Sequence, residues 1–278
     1  MGLADKRIRH CAETGEGYKF SDDLMLYPIT VSDCDLFYVC SPSLTLRMSM
    51  LPVVYATKSY AEAIFAMAFD KELQGTEYGL AYAKFMHLLA LSLRVPVDSF
   101  ENPIVDAKDN TKLKGIIVRQ TSDELGENMV RLSPGQLGQI RAIIAEMNGR
   151  ELPDESENSE IIQADEDIKS SGVNDLKVDM SDLKASVAAY YRVRLKELNG
   201  WTIYELEKAR SAIERMTRCT ICGIGEAGSM VKYEKGNPFP SLFFNREPEN
   251  AALISMSDFQ RRMGGAVTSV DSLPDMPM

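Results

Sequence analysis

The sequence predicts a mostly α protein with a small β-hairpin, an α+β chain in two helical parts joined by an acidic linker. Three observations predict it. First, Gly200-Trp201-Thr202-Ile203-Tyr204-Glu205-Leu206 is an elbow between two helices. Thr202 and Glu205 form a capping box, each side chain meeting the other's free backbone N–H, and Trp201 with Leu206 supplies a hydrophobic staple. Gly200 suits the residue that closes a preceding helix. Second, residues 113–120 and 128–132 read as two short strands around a polar turn. They run directly into Ser133-Pro134-Gly135-Gln136, where Ser133 caps, Pro134 takes the first helical position and Gln136 completes the box. Third, residues 151–178 give up apolar periodicity for acids and linker composition.

In chain order, residues 1–20 are polar and expected to be a flexible N-terminus. An N-terminal helical domain with the hairpin is expected over residues 21–150. Within it, residues 24–31 have strand-like composition broken by Pro28, and a short helix opens after Ser32-Asp33-Cys34-Asp35 and reaches about Cys40. Residues 44–50 alternate and are expected to be extended. Ser59 and Glu62 make a second capping box, opening a helix to about Glu72. Residues 79–94 form a helix that is apolar around most of its circumference, so it should be buried. After Gln136, the stripe Leu137, Ile140, Ile144 and Met147 ends at Gly149 as the closing residue.

The linker is placed at residues 151–178, and the C-terminal helical-hairpin domain at residues 179–263. There Leu183, Val187, Tyr191, Leu195 and Leu198 share one helical face. Ile203, Leu206, Ala209, Ile213 and Met216 share another. The prolines of Gly236-Asn237-Pro238-Phe239-Pro240 forbid a helix. Leu242-Phe243-Phe244 is expected to return to the core, and residues 264–278 to be a disordered tail.

The 278 residues carry 31 basic and 41 acidic side chains, a net charge of -10. That balance disfavours a nucleic-acid footprint, which needs a basic face, and is compatible with basic protein partners. Five Cys in a chain this long argue against a secreted disulfide framework and for a reducing cytoplasm. The apolar run at residues 80–95 is too short to span a bilayer and carries Lys84, His87 and Arg94.

Candidate chemistry is sparse. Gly223-Ile224-Gly225-Glu226-Ala227-Gly228 matches the dinucleotide fingerprint, but that loop works only between a strand and a helix. Here it follows an amphipathic helix, so small residues at a closely packed helix end are the better reading. Cys219-Thr220-Ile221-Cys222 is a CxxC pair. A structural zinc needs four ligands and no second pair is at matched spacing, so buried small hydrophobes are favoured over a metal site or a redox dithiol. The two His are too few for most His-based catalysis, His87 within the apolar helix reads as a hydrogen-bonded core residue, and no GxSxG, HExxH or Walker loop is present. The chain is therefore read as a non-enzyme with no catalytic residue, no cofactor and no metal. The acids Asp154, Glu155, Glu157, Asp165, Glu166 and Asp167 are the candidate partner-binding residues, either as a solvated connector or as a segment that folds on a basic partner.

Several stretches together carry a resemblance. They are Leu26-Tyr27-Pro28-Ile29-Thr30; Leu51-Pro52-Val53-Val54-Tyr55 with Ser59-Tyr60; Ser133-Pro134-Gly135-Gln136; and Ile143-Ile144-Ala145-Glu146-Met147-Asn148-Gly149. Further on come Leu152-Pro153-Asp154-Glu155-Ser156-Glu157-Asn158, Trp201-Thr202-Ile203 with Ala212-Ile213-Glu214-Arg215, and Gly236-Asn237-Pro238-Phe239-Pro240-Ser241. Over about residues 24–244 the chain resembles proteins encoded among the tail genes of Gram-positive tailed bacteriophages and prophages. Such proteins resemble tail assembly chaperones, which bind the tape-measure protein before the tube forms. The resemblance implies a cytoplasmic protein acting by protein–protein contact, with no catalytic residues. The alternatives are a permanent tail or baseplate component, and a zinc- or thiol-dependent module using Cys219 and Cys222.

Overall fold

The hairpin-then-helix unit after residue 108 organises the N-terminal part. In the computed structural model, which describes residues 3–122, 126–155 and 179–228, β4 (Asp109–Ser122) pairs antiparallel with β5 (Gly126–Leu132). Leu132 leads into α6 (Pro134–Met147), whose Ser133/Gln136 capping box forms with both partners in place. Leu137, Ile140, Ile144 and Met147 are all fully buried, and Gly149 sits at φ +68°, the left-handed conformation that closes a helix. A third strand, β3 (Ile104–Asp106), extends the sheet to the order β3-β4-β5. Three residues between Pro103 and a turn are too short a run to show a period.

Helices predominate, and the expected class stands: α+β, with a three-stranded sheet and a two-stranded hairpin of β1 (Tyr18–Ser21) and β2 (Leu24–Leu26). The helix α2 (Cys34–Cys40) follows a 3-10 turn at Val31–Asp33. After the short α3 (Val53–Ala56), α4 (Tyr60–Ala68) opens on the Ser59/Glu62 box. It stops four residues short of the expected Glu72, where Asp70 Oδ1 accepts from the Glu72 N–H in a turn (2.9 Å). The buried helix is α5 (Glu77–Leu93), closed by Arg94 at φ 55°. Phe37, Ile64, Met67, Phe85, Leu88 and Leu89 meet in one core with the inner face of the sheet and α6.

Buried polar side chains stitch this core to irregular backbone. Gln120 accepts from the Met25 N–H (3.1 Å) and donates to the carbonyls of Met25 (2.9 Å) and Leu93 (3.0 Å). Asn148 accepts from the Ile29 N–H at 2.9 Å. Arg141 donates from Nε to the Leu44 carbonyl (2.7 Å) and from its guanidinium to Leu46 (2.8 Å), with the Tyr60 ring 4.0 Å below. That clamp holds residues 44–47 as turn and coil, followed by a 3-10 turn at Met48–Met50, where an extended segment was expected.

The N-terminus also departs from expectation. Residues expected to be flexible begin with α1 (Leu3–Thr14), which buries Ile8, Cys11 and Ala12. These three make a narrow stripe inside a charged segment, and the neighbours that cover it lie far along the chain.

The helical hairpin after the linker is broken in two on its first arm. α7 (Met180–Tyr191) ends at Arg192, φ 55°, and a single turn, α8 (Leu195–Leu198), follows. The break turns Tyr191 and Leu195 toward solvent, off the face predicted for a continuous helix. The elbow itself forms as expected. Thr202 Oγ1 accepts from the Glu205 N–H (3.1 Å), Glu205 accepts from the Thr202 N–H (2.7 Å), and α9 (Ile203–Ala227) begins there.

The described residues of the two expected parts lie close together. They fall in one compact unit. The reason is a clip between residues 29–31 and 201–203: Val31 N–H donates to Trp201 (2.8 Å) and Ile203 N–H donates to Ile29 (2.9 Å). The Thr202 hydroxyl adds a hydrogen bond to the Ala12 carbonyl at 2.7 Å. The elbow is thus docked on the N-terminal part. The expectations for residues 156–178 and 229–278, including the prolines at 238 and 240 and the tail, lie outside the described residues.

Candidate protein-contact surface

The surface centres on α9, whose first turns are buried and whose later turns bear exposed apolar side chains. Leu206 and Ala209 are buried with Val31, Val187, Ala188 and Leu198, and Ile213 packs at the edge of that cluster, while Ile203 is buried in the N-terminal core. At 3.6 residues per turn the same face continues through Met216, Thr220 and Ile224. Exposure climbs along it: Met216 is 40% exposed, and Ile221 and Ile224 are 63% and 62% exposed. Tyr190, at the end of α7, donates a hydrogen bond to the Met216 sulfur (2.7 Å).

At the root of α9 an ionic group locks the helix to the body. Glu207 accepts a short hydrogen bond from the Tyr38 hydroxyl. Arg210 Nε lies 3.0 Å from Glu207 and Arg150 3.7 Å from it, while the Arg150 guanidinium also sits 5.0 Å from the Tyr38 ring centre. Burial, and then the hydrogen bond to Glu207, hold the Tyr38 hydroxyl protonated well above the ordinary phenol range.

Two open clefts flank this root and share Arg9, Tyr204 and Lys208. One, about 700 Å³, lies among α1, the residues after α6 and α9. The other, about 610 Å³, is walled by Tyr191, Trp201 and Tyr204. Tyr191 and Trp201 meet edge-on at 6.0 Å, and Lys208 sits 5.1 Å from the Tyr204 ring centre. Trp, Tyr and cationic side chains on a concave surface are the composition of an interface anchor.

Of the acids singled out from the sequence, the two described, Asp154 and Glu155, do not line these clefts. Glu155 is engaged by its own chain: it accepts from the Met48 N–H (3.0 Å) and the Ser49 N–H (2.9 Å). Burial pushes its carboxyl up, but those two amides, the Ser49 hydroxyl and Arg141 outweigh burial and leave it below the ordinary value of 4.5. Asp154 gives its backbone carbonyl to Arg47 at 3.1 Å. Glu157, Asp165, Glu166 and Asp167 lie outside the described residues.

The CxxC expectation is corrected. Cys219 and Cys222 are half-exposed on the outer turns of α9, while Cys11, Cys34 and Cys40 are the buried thiols. The glycine fingerprint is the helical end of α9, with no strand before it, and a Cβ at Gly223 would meet nothing within 4 Å. The closely packed helix end expected there is therefore absent at Gly223. No group of three or more Cys, His, Asp or Glu poised to hold a metal occurs among the described residues. No described helix is long and apolar enough to cross a membrane.

Comparison with protein-family models, with curated proteins and with solved structures gives no match for this chain.

Proposed function

We propose that this protein is an assembly factor that works by protein–protein contact, of the kind encoded among bacteriophage tail genes, and that it engages a helical segment of a tape-measure-like tail protein. One observation carries the reading: a 25-residue helix is fixed at its root and presents Met216, Ile221 and Ile224 uncovered beyond it. An amphipathic helix laid along such a stripe buries its own apolar face, the helix-in-groove mode of recognition. The aromatic cleft at Tyr191, Trp201 and Tyr204 offers an anchor point beside it. The resemblance of residues 24–244 to tail-gene products supplies the class of partner. A bacterial host cytoplasm is the matching compartment.

The test is co-expression with the neighbouring tail genes, followed by capture of the complex. Ile221→Asp with Ile224→Asp places two charges on the stripe and should reduce capture at least tenfold with an unchanged melting curve. Neutralising Asp165, Glu166 and Asp167 to Asn or Gln should slow association more than it speeds dissociation, and more so at low salt, because exposed charges are screened within about 8–10 Å at physiological ionic strength. Undiminished capture by the Asp variant rejects the stripe as the contact. Stoichiometric presence in mature particles, read by mass spectrometry, favours a permanent tail component instead.

A further inference from the structure

The outer turns of α9 bear two thiols that the fold does not use. Cys219 and Cys222 stand one helical turn apart, so their Cβ atoms are about 5–6 Å from each other on one face. A zinc ion holds thiolates at about 2.3 Å, which sets neighbouring sulfurs about 3.8 Å apart in a tetrahedron. Two side chains leaning from one face reach that spacing. The other three cysteines are sequestered, Cys11 and Cys40 at 2% exposure and Cys34 at 0%. Among the described residues no third ligand lies beside the pair. One chain thus supplies half of a four-thiolate set.

We propose that two copies of this chain complete the set: Cys219 and Cys222 of each bind one Zn²⁺ between two antiparallel α9 helices. The charge pattern of the helix specifies that arrangement. A two-fold axis midway between Thr220 and Ile221 places Cys219 opposite Cys222 of the second copy. The same axis places Arg215 opposite Glu226 of the second copy. At 3.6 residues per turn, Arg215 and Glu226 both fall on the arc that holds the cysteines, so the two-fold pair gains two cross-helix ion pairs beside the metal. Gly223 borders the same arc and its open surroundings leave room for a second backbone to approach.

Binding is a proton exchange without redox change. Four thiols lose four protons to solvent, four Zn–S bonds form, and the resulting zinc tetrathiolate carries a net charge of about −2. Arg215 of each copy lies alongside to offset it. Binding should therefore weaken as pH falls. The dimer leaves the apolar stripe of Met216 and Ile224 on the opposite side of α9, so this inference does not rest on the identity of any tail partner.

The experiment uses the reduced full chain, freed of metal and titrated with Zn²⁺. Retained zinc should be one ion per two chains, and light scattering should show the mass doubling with zinc and halving with a chelator. Cys219→Ser with Cys222→Ser should abolish both effects with an unchanged melting curve. Arg215→Glu alone should weaken the zinc-bound dimer about tenfold, and Arg215→Glu with Glu226→Arg should restore it. Absence of retained zinc, one zinc per chain at monomer mass, or a zinc-dependent dimer that survives the double Ser variant overturns the site. Failure of the charge swap to restore the dimer overturns the antiparallel register.

Discussion

The helices α5 and α9 are both long and both N-capped by a threonine, yet they occupy opposite extremes of burial. Thr76 caps the 17-residue α5 through the Gly79 N–H, and Thr202 caps the 25-residue α9 through the Glu205 N–H. α5 places Phe85, Leu88, Leu89 and Leu93 in the core and is covered by α2, α4 and α6. α9 buries residues only in its first two turns. A good cap therefore says where a helix starts and nothing about how much of it the fold will cover. In α5 the apolar residues hold the body together, whereas in the outer half of α9 they remain available to something else.

This contrast breaks first at Phe85. Phe85→Ala empties a fully packed site that also stacks edge-on with Tyr60 at 5.4 Å, and should cost about 4 kcal/mol in a urea melt. A loss under 1 kcal/mol would mean that α5 is not the centre of the core. At the root of α9 the effect should be intermediate. Trp201→Ala removes a half-buried aromatic and should cost about 2 kcal/mol. Thr202→Ala removes a cap and should cost about 1 kcal/mol, with an added part from the lost bond to Ala12. Negligible losses at both positions would detach the elbow from the body. On the outer turns Ile224→Ala should change stability by less than about 0.5 kcal/mol, since the side chain has little contact to lose. A large loss there would mean the stripe is already covered.

The smallest expected effect is acidic. The Glu155 carboxyl titrates below its ordinary 4.5 in the fold, so its two amide bonds stabilise the protein fully above that value. They are lost as pH falls through the depressed folded value. Glu155→Gln should therefore flatten the dependence of melting temperature on pH below about 4.5 and leave it unchanged near neutrality. An identical acid slope in wild type and variant would show that the Glu155 clasp on Met48 and Ser49 adds nothing.

Much of the fold was legible because it is written locally. The three boxes at Ser59, Ser133 and Thr202 use short-range chemistry, and all three form. What was not legible depends on residues distant in sequence. Ile8, Cys11 and Ala12 look like isolated apolar residues until α6 and α9 cover them. Arg141 looks like a surface cation until its guanidinium meets the carbonyls of Leu44 and Leu46. The exposed outer stripe of α9 was not legible for the same reason. The periodicity of α9 is equally apolar where it is buried and where it is bare, and only the packed neighbours distinguish the two. The acids around Glu155 attracted attention as an unbroken charge run, although Glu155 itself serves as a clasp on backbone N–H groups.

The clip between residues 29–31 and 201–203 also has a bearing on how the chain is made. Its two halves are separated by about 170 residues. At a synthesis rate of roughly 5–20 residues per second, the earlier half leaves the ribosome on the order of 10 to 30 s before its partner exists. Throughout that interval the Val31 amide and the Ala12 carbonyl have only water to bind. The body can collapse around α5 and α6 while it waits, but α9 is seated only when residue 203 has emerged. α9 is thereby the last described element to take its place, and a nascent chain shorter than that has no seated α9.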